Sequence, residues 1–412
     1  MQIAIIGAGP GGLMAAEVLS RRFKVTVYDA MPSAGRKFLQ AGRGGLNITH
    51  SQALDKFLQA YGEAQPTVAP WIDAFPPQAV RDWVESFGIS TFVGSSGRVY
   101  PQDMKAAPLL RHWLQRLRKQ GVVFAMRHRW QGWGKSKALV FETPTDTKEI
   151  KPDLVILALG GASWPHLGSD GRWLSYFSLD ETTPFLAANC GFDQAWSSVF
   201  KHKFAGQPLK SVLLRVVDAQ QQVWQKKGEC LISEHGLEGS LVYALSRPIR
   251  DSLLAQGQVQ ASLDLLPDMN EQQLMTKLTR PRAKLSWSNF LKRAGIDAMR
   301  VSMLRERLDA EELQDMKLVV KTLKDFPLNF TQPRPIAEAI SSAGGLKFSA
   351  LSAHAELISR PGVYCLGEML DWEAPTGGYL LTAVLAQAQF VAQHILKNYA
   401  SAPASSSSSS NL

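Results

Sequence analysis

Gly7, Gly9 and Gly12 follow an apolar run, Gln2–Ile6, in the spacing G-x-G-x-x-G, with Pro10 and Gly11 between the last two glycines. That arrangement can hold a pyrophosphate. Gly7 permits a tight turn, Gly9 lets backbone approach the phosphates, and Gly12 lets a helix pack closely on a sheet. A helix starting at Pro10 aims its free N–H groups at the phosphates. Asp29 stands 22 residues after Gly7, with Ala30 beside it. That is close to the ~20-residue spacing of an acid that takes ribose hydroxyls.

Further glycines lie beyond this turn. Gly35, Gly42, Gly44 and Gly45 alternate with Arg36, Lys37 and Arg43, and Gly160-Gly161 and Gly367 each end an apolar run. A second set of glycines and bases suggests a ligand that continues past the pyrophosphate. A distant second strand end suits a flavin, so the pattern favours FAD over NAD. No second G-x-G-x-x-G sits between a strand and a helix, so NAD(P)H is expected as an electron donor only without a dedicated Rossmann domain. Glu234 and His235 stand at a turn and are the candidate catalytic pair. The eight histidines do not cluster, so no metal is expected. Cys190, Cys230 and Cys365 are widely spaced without C-x-x-C, which argues against a dithiol relay and for a reducing, cytoplasmic setting.

These residues need elements to hold them. Gln2–Ile6, a helix over 10–22 and a strand over 24–28 make a βαβ unit. The stretch 31–51 reads as loop. Helices are expected over 77–87 and 105–120, with strands over 122–126, 138–142 and 154–159. From about residue 186 short strands (211–217, 222–225, 229–232) alternate with polar turns, then helices follow up to 324. A strand over 363–366 and a helix over 379–397 restore the first pattern. The expected organisation is α/β, a discontinuous Rossmann-type FAD-binding domain with an inserted β-rich plus helical domain. Its parts are 1–185, the insertion 186–334, 335–400, and a disordered serine tail over 401–412.

The 412 residues, 45% apolar and 20% charged, fit a folded chain. No apolar run of about 18 residues points to a membrane span, and the N-terminus does not read as a secretory signal. Net charge is +9. Residues 201–335 hold 21 Lys+Arg against 15 Asp+Glu, so +6 of it lies there. That bears on the substrate and makes an anionic small molecule the first to test. Nucleic acid is not expected as a partner, because Trp287 and Phe290 among the bases of 280–307 read as helix core.

The chain resembles the bacterial FAD-binding flavoproteins known as aminoacetone-oxidase-like or NAD(P)/FAD-dependent oxidoreductases. The resemblance rests on four motifs: Gly7–Gly12 with its βαβ unit, Gly35-Arg36-Lys37 with Gly44 and Asn47-Ile48-Thr49, Leu159 to Pro165, and Gly367-Glu368 with Thr376-Gly377-Gly378-Tyr379. It implies that Arg36 and Lys37 lie beside adenosine and pyrophosphate. Gly44, Asn47 and Thr49 would face the flavin, with Gly160 and Gly161 nearby. Glu368 would bond the ribitol or a phosphate-bound water. Gly377, Gly378, Tyr379 and Leu380 would point a helix N-terminus at the pyrimidine side of the ring. The chain departs from the family at Gly45-Leu46, where Arg-Cys is common. The expectation is a FAD-dependent oxidoreductase acting on a small molecule. An RNA-modifying flavoenzyme and a flavin-based redox sensor are the alternatives.

Overall fold

A computed structural model describes residues 1–399 except Arg43 and Ala283. The serine tail and the Arg43 position lie outside the described residues. The chain divides into two compact units, Met1–Leu186 with the chain from Ser341 onward, and Ala187–Ile340.

The first unit is built on a five-stranded parallel sheet. Its strands are β1 (Gln2–Ile6), β2 (Lys24–Asp29), β3 (Val123–Met126), β4 (Leu154–Leu157) and β5 (Val363–Cys365), in the order β5-β4-β1-β2-β3. Ile3 lies opposite both Leu154 and Val25. β4 is buried along its whole length, which explains an unbroken apolar run without alternation. The helix α1 (Pro10–Leu19) starts with proline in its first turn, where a missing N–H costs nothing. The stretch read as loop contains a helix, α2 (Arg36–Ala41), between Gly35 and Gly42. Its six residues are too few for a helical period to stand out among the flanking glycines.

The last helix, α3 (Tyr379–Tyr399), packs on α1 and on the helix Gln65–Ala74. Among the described residues it alone is long and apolar enough to cross a bilayer, yet 56% of that window is buried inside the protein. Its apolar face is spent on neighbouring helices. Two three-stranded antiparallel sheets also belong to the unit. One joins Thr49–His50, Arg98–Pro101 and Thr91–Val93; the other joins Arg129–Trp133, Leu139–Glu142 and Thr147–Ile150.

α1 is buried on nearly every side and carries one buried charge, Glu17. Its carboxylate accepts from Arg116 Nη1 at 2.9 Å and from Trp83 Nε1 at 3.2 Å. Arg116 in turn stacks on Phe87, 3.6 Å from the ring centre. Removing the acceptor strands both donors, one of them partly exposed. Glu17→Ala should therefore lower stability by about 2–3 kcal/mol, seen as a lower urea midpoint with unchanged slope.

The second unit is a seven-stranded antiparallel sheet with helices. Its strand order is 326–328, 260–264, 208–217, 223–232, 236–238, 192–194, 330–333. The two short strands expected at 222–225 and 229–232 are one strand, Val223–Ile232. Its Lys226-Lys227-Gly228 stretch resembles a turn in sequence, but it pairs with Leu214, Leu213 and Val212. Charged residues suit an exposed strand of this kind. After Gly239 come two helices, Ser240–Ala244 and Ser246–Gln256. Helices Glu271–Leu278, Trp287–Arg293, Ala298–Arg305 and Met316–Lys324 follow. Asn270, Ser286, Asp297 and Asp315 cap them through side-chain oxygens. The compact second unit runs to Ile340, and the chain continues in the first unit from Ser341, a few residues beyond the expected Pro335.

Candidate FAD site

The glycine turn is forced by its surroundings. Gly7 has φ +108°, and a side chain there would strike the Ala158 carbonyl. A Cβ on Gly12 would strike the Gly7 carbonyl. Gly9 differs, for nothing lies within 4 Å of where its Cβ would be. Its bareness leaves room for a ligand at the N-terminus of α1. Asp29 clamps this turn. Oδ2 accepts from the Ala8 N–H at 2.7 Å and Oδ1 from the Met31 N–H at 2.8 Å. Burial raises its carboxyl pKa, against those two bonds and the charges of Arg129 and Arg36. Each oxygen keeps a lone pair for a ribose hydroxyl. Ala30 is half-buried next to it, with Pro10 and Gly11 in the first turn of α1. The Gly35 N–H donates to the Ala8 carbonyl at 2.9 Å, which joins the start of α2 to the same turn. Arg36 Nε, the next donor, is buried without a partner.

A second cluster forms around the start of α3. Leu46 and Ile48 donate backbone N–H groups to Met104 and Val99. Between them Asn47 holds a buried Oδ1 without a partner. Gly44 again has nothing within 4 Å of its would-be Cβ. Thr49 is fully buried. The Thr382 hydroxyl lies 2.9 Å from Thr49 Oγ1 and 2.8 Å from the Gly378 carbonyl oxygen. Gly378 has φ +88°, and its Cβ would lie 2.6 Å from Thr49 Cα. Gly377 has φ +131°. The Tyr61 hydroxyl donates to the Tyr379 carbonyl at 2.9 Å, and the Tyr379 ring stacks on His50. Leu380 is half-buried in the first turn. The opening N–H groups of α3 have no partner within the helix and carry its positive dipole end. Arg98 Nη2 lies 3.5 Å from Thr376 Oγ1, just before that turn.

The third cluster joins four distant segments. Lys37 Nζ donates to Glu368 Oε2 at 2.8 Å and to Ser163 Oγ at 2.6 Å. Glu368 Oε1 accepts from the Ser342 N–H at 2.9 Å. The Ser342 hydroxyl accepts from the Ala162 N–H at 2.8 Å. Gly161 must be bare here, since a Cβ would collide with Ser342 Cβ at 2.8 Å. Gly160, at φ +70°, gives its carbonyl to Trp173 Nε1 at 3.0 Å. The resemblance set Lys37 beside the pyrophosphate and Glu368 on the ribitol. In the structure they pair with each other, because a nearly buried carboxylate needs a cation. Gly367 donates to Gln387 Oε1 at 2.7 Å, and Gln387 Nε2 is buried without a partner. Ser342, Thr382, Tyr61 and Gln387 were not picked out from sequence; single residues of these types carry no pattern.

Glu234 and His235 belong to the second unit, exposed at a turn closed by Ser233 N–H to the Gly236 carbonyl at 2.9 Å. Among the described residues no side-chain hydrogen bond or ion pair orients either one. All three cysteines are free and buried. Burial pushes the Cys230 thiol up to about 12 and raises that of Cys365 too. Neither forms a thiolate readily.

Two helix N-termini, two uncrowded glycines and the partnerless Arg36 Nε and Asn47 Oδ1 fit a dinucleotide whose polar groups complete them. With the parallel sheet and the meander over 129–150, they define a Rossmann-type FAD-binding flavoprotein. Residues 1–394 match the family model described as the HI0933-like protein Rossmann domain, and the chain belongs to that family. It is 26% identical over 402 residues to a 3-dehydro-bile acid delta(4,6)-reductase of Clostridium scindens, covering 92% of this chain and 95% of that protein. It is 23% identical over 388 residues to the ribosomal RNA dihydrouridine synthase of Escherichia coli, covering 91% and 93%. The solved 3-ketosteroid delta1-dehydrogenase of Sterolibacterium denitrificans shares the fold, with a TM-score of 0.51 at 14% identity, covering 96% of this chain and 99% of that one. The chain is thus a FAD-dependent oxidoreductase by family and fold.

Proposed function

We propose that this protein reduces a carbon–carbon double bond conjugated to a carbonyl. The observation that carries the reading is the start of α3 at Gly377-Gly378, whose opening N–H groups carry the positive end of the helix, with the Arg98 guanidinium beside Thr376. FAD, when bound, supplies the hydride, and its ring gains negative charge on reduction. Gly377 to Leu380 would hold the edge where that charge collects. Thr382 and Thr49 fix that turn, and Tyr61 fixes the Tyr379 carbonyl. Asp29, Arg36 and the turn Gly7–Gly12 would hold the adenosine and pyrophosphate. Hydride adds to the carbon β to the carbonyl, the electron pair moves onto the carbonyl oxygen, and a proton completes the saturated product.

The relatives support the choice of bond. Their names describe adding hydrogen to a steroid dienone and to uridine, and both compounds carry a ring double bond conjugated to a carbonyl. NAD(P)H would restore the reduced state without a Rossmann module of its own. Oxidation of a small amine such as aminoacetone is the narrower reading the sequence resemblance carries. One anaerobic screen separates them, with flavin absorbance as readout. NADH or NADPH should bleach the flavin, and enones should then restore its colour. Rapid bleaching by aminoacetone with no response to any enone would overturn the reading.

A further inference from the structure

In the second unit several acids pair with nearby cations. Asp193 and Glu338 pair with Arg334, Asp264 with Lys324, Asp268 with Lys227 and Asp297 with Arg300. Another set of cations is left over. Arg280, Arg282, Lys284, Lys292, Arg293 and Arg305 are all exposed. Among the described residues none of them has a carboxylate partner. Between Arg280 and Arg305 the only acid is Asp297, already held by Arg300.

The six lie within one stretch of chain, and three of them, Lys292, Arg293 and Arg305, share a small region. Phe290 and Leu291 are buried, and Trp287 packs on the same core. The aromatic residues are thus structural, as their spacing suggested, which leaves the cations to face solvent. Arg305 lies over the Trp287 ring, 5.9 Å from its centre, and donates to Ser288 Oγ at 3.1 Å. It stands at the start of the helix Trp287–Arg293, with Lys292 and Arg293 at its end. Seven residues of helix span about 10 Å, so three cations fall within the reach of a few phosphates. No large apolar residue from 280 to 305 is among the exposed ones. A bilayer would find nothing here to insert. Four of the six are arginines, whose planar forks match phosphate oxygens.

We propose that this surface of the second unit binds the phosphate backbone of RNA. The choice of RNA rests on the reading that the reduced bond is conjugated to a carbonyl, as uracil C5=C6 is. It departs from the sequence-based expectation that nucleic acid is not a partner, which weighed the aromatics and not the pairing of the charges.

The test uses the FAD-loaded full chain and a fluorescein-labelled, uridine-containing RNA stem-loop, read by anisotropy without any electron donor. Six neutralised phosphates predict an affinity loss on the order of 10³ between 50 and 200 mM salt. The variant R280Q/R282Q/K292Q/R293Q should bind at least about tenfold more weakly, with a log–log salt slope shallower by about 3 to 4. Its FAD content and urea midpoint should match the parent, which separates lost binding from lost folding. No binding at 50 mM salt, or a variant that binds like the parent, overturns the proposal. So does equal binding to phosphatidylglycerol vesicles that the variant loses in parallel. RNA that is bound but never reduced leaves this surface standing and counts against the reductase reading alone.

Discussion

Replacing Gly378 with alanine is expected to yield a protein that folds but does not retain FAD. Gly378 sits at φ +88°, and a Cβ would lie 2.6 Å from Thr49 Cα and 2.7 Å from Thr49 N. Both neighbours are backbone of a fully buried residue and cannot swing aside. The left-handed conformation alone costs about 1–3 kcal/mol without glycine, and the collision adds to it. The start of α3 must then move away from Asn47–Thr49. On the proposed reading those two segments would form one wall of the flavin end, so FAD affinity should fall at least about 100-fold, equivalent to about 2.7 kcal/mol. Fluorescence titration of apoprotein with FAD measures this. Far-UV circular dichroism should change little, because the clash is confined to one turn.

The second large effect is expected at the pair Lys37–Glu368. Lys37→Met leaves Glu368, with only 10% of its side chain accessible, without its cation. Stranding a buried charge costs about 3–5 kcal/mol. Lys37 is itself 26% accessible, so water can recover part of that, and about 2–3 kcal/mol is the expected loss. FAD affinity should fall as well, because Glu368 holds the Ser342 N–H and Ser342 holds the Ala162 N–H. The double variant K37M/E368Q removes the stranded charge and keeps an acceptor for Ser342. It should recover more than half of the lost stability. A double variant as unstable as the sum of the two single ones would show that the pair does not interact.

The parts legible in sequence are those whose partners are close along the chain. Gly7, Gly9 and Gly12 lie within one turn, so their spacing was legible; the collision that demands Gly12 comes from the turn itself, but the one that demands Gly7 comes from the distant Ala158 carbonyl, just past β4. Asp29 was legible by spacing, but its bonds to Ala8 and Met31 were not. Carboxylate geometry depends on how the turn closes. Lys37 and Glu368 are separated by 331 positions, so their pairing leaves no local trace, and the same holds for Thr49 and Thr382. α2 was hidden by the glycines that flank it. The strand Val223–Ile232 was hidden because charged residues on an exposed strand look like a turn. The insertion was recognisable by its change of texture. Which of its cations lack partners depends on side-chain pairing, which composition does not reveal.

The reductase reading is tested most directly by a single turnover. The FAD-loaded protein is reduced with one equivalent of dithionite under nitrogen and mixed with a steroid 4,6-dien-3-one, with uridine-containing RNA, or with buffer. The account predicts that flavin absorbance returns faster with at least one conjugated acceptor than with buffer. It also predicts that this acceptor gains two hydrogens by mass. A flavin that stays reduced with every conjugated acceptor, yet reoxidises at once in air, would contradict it.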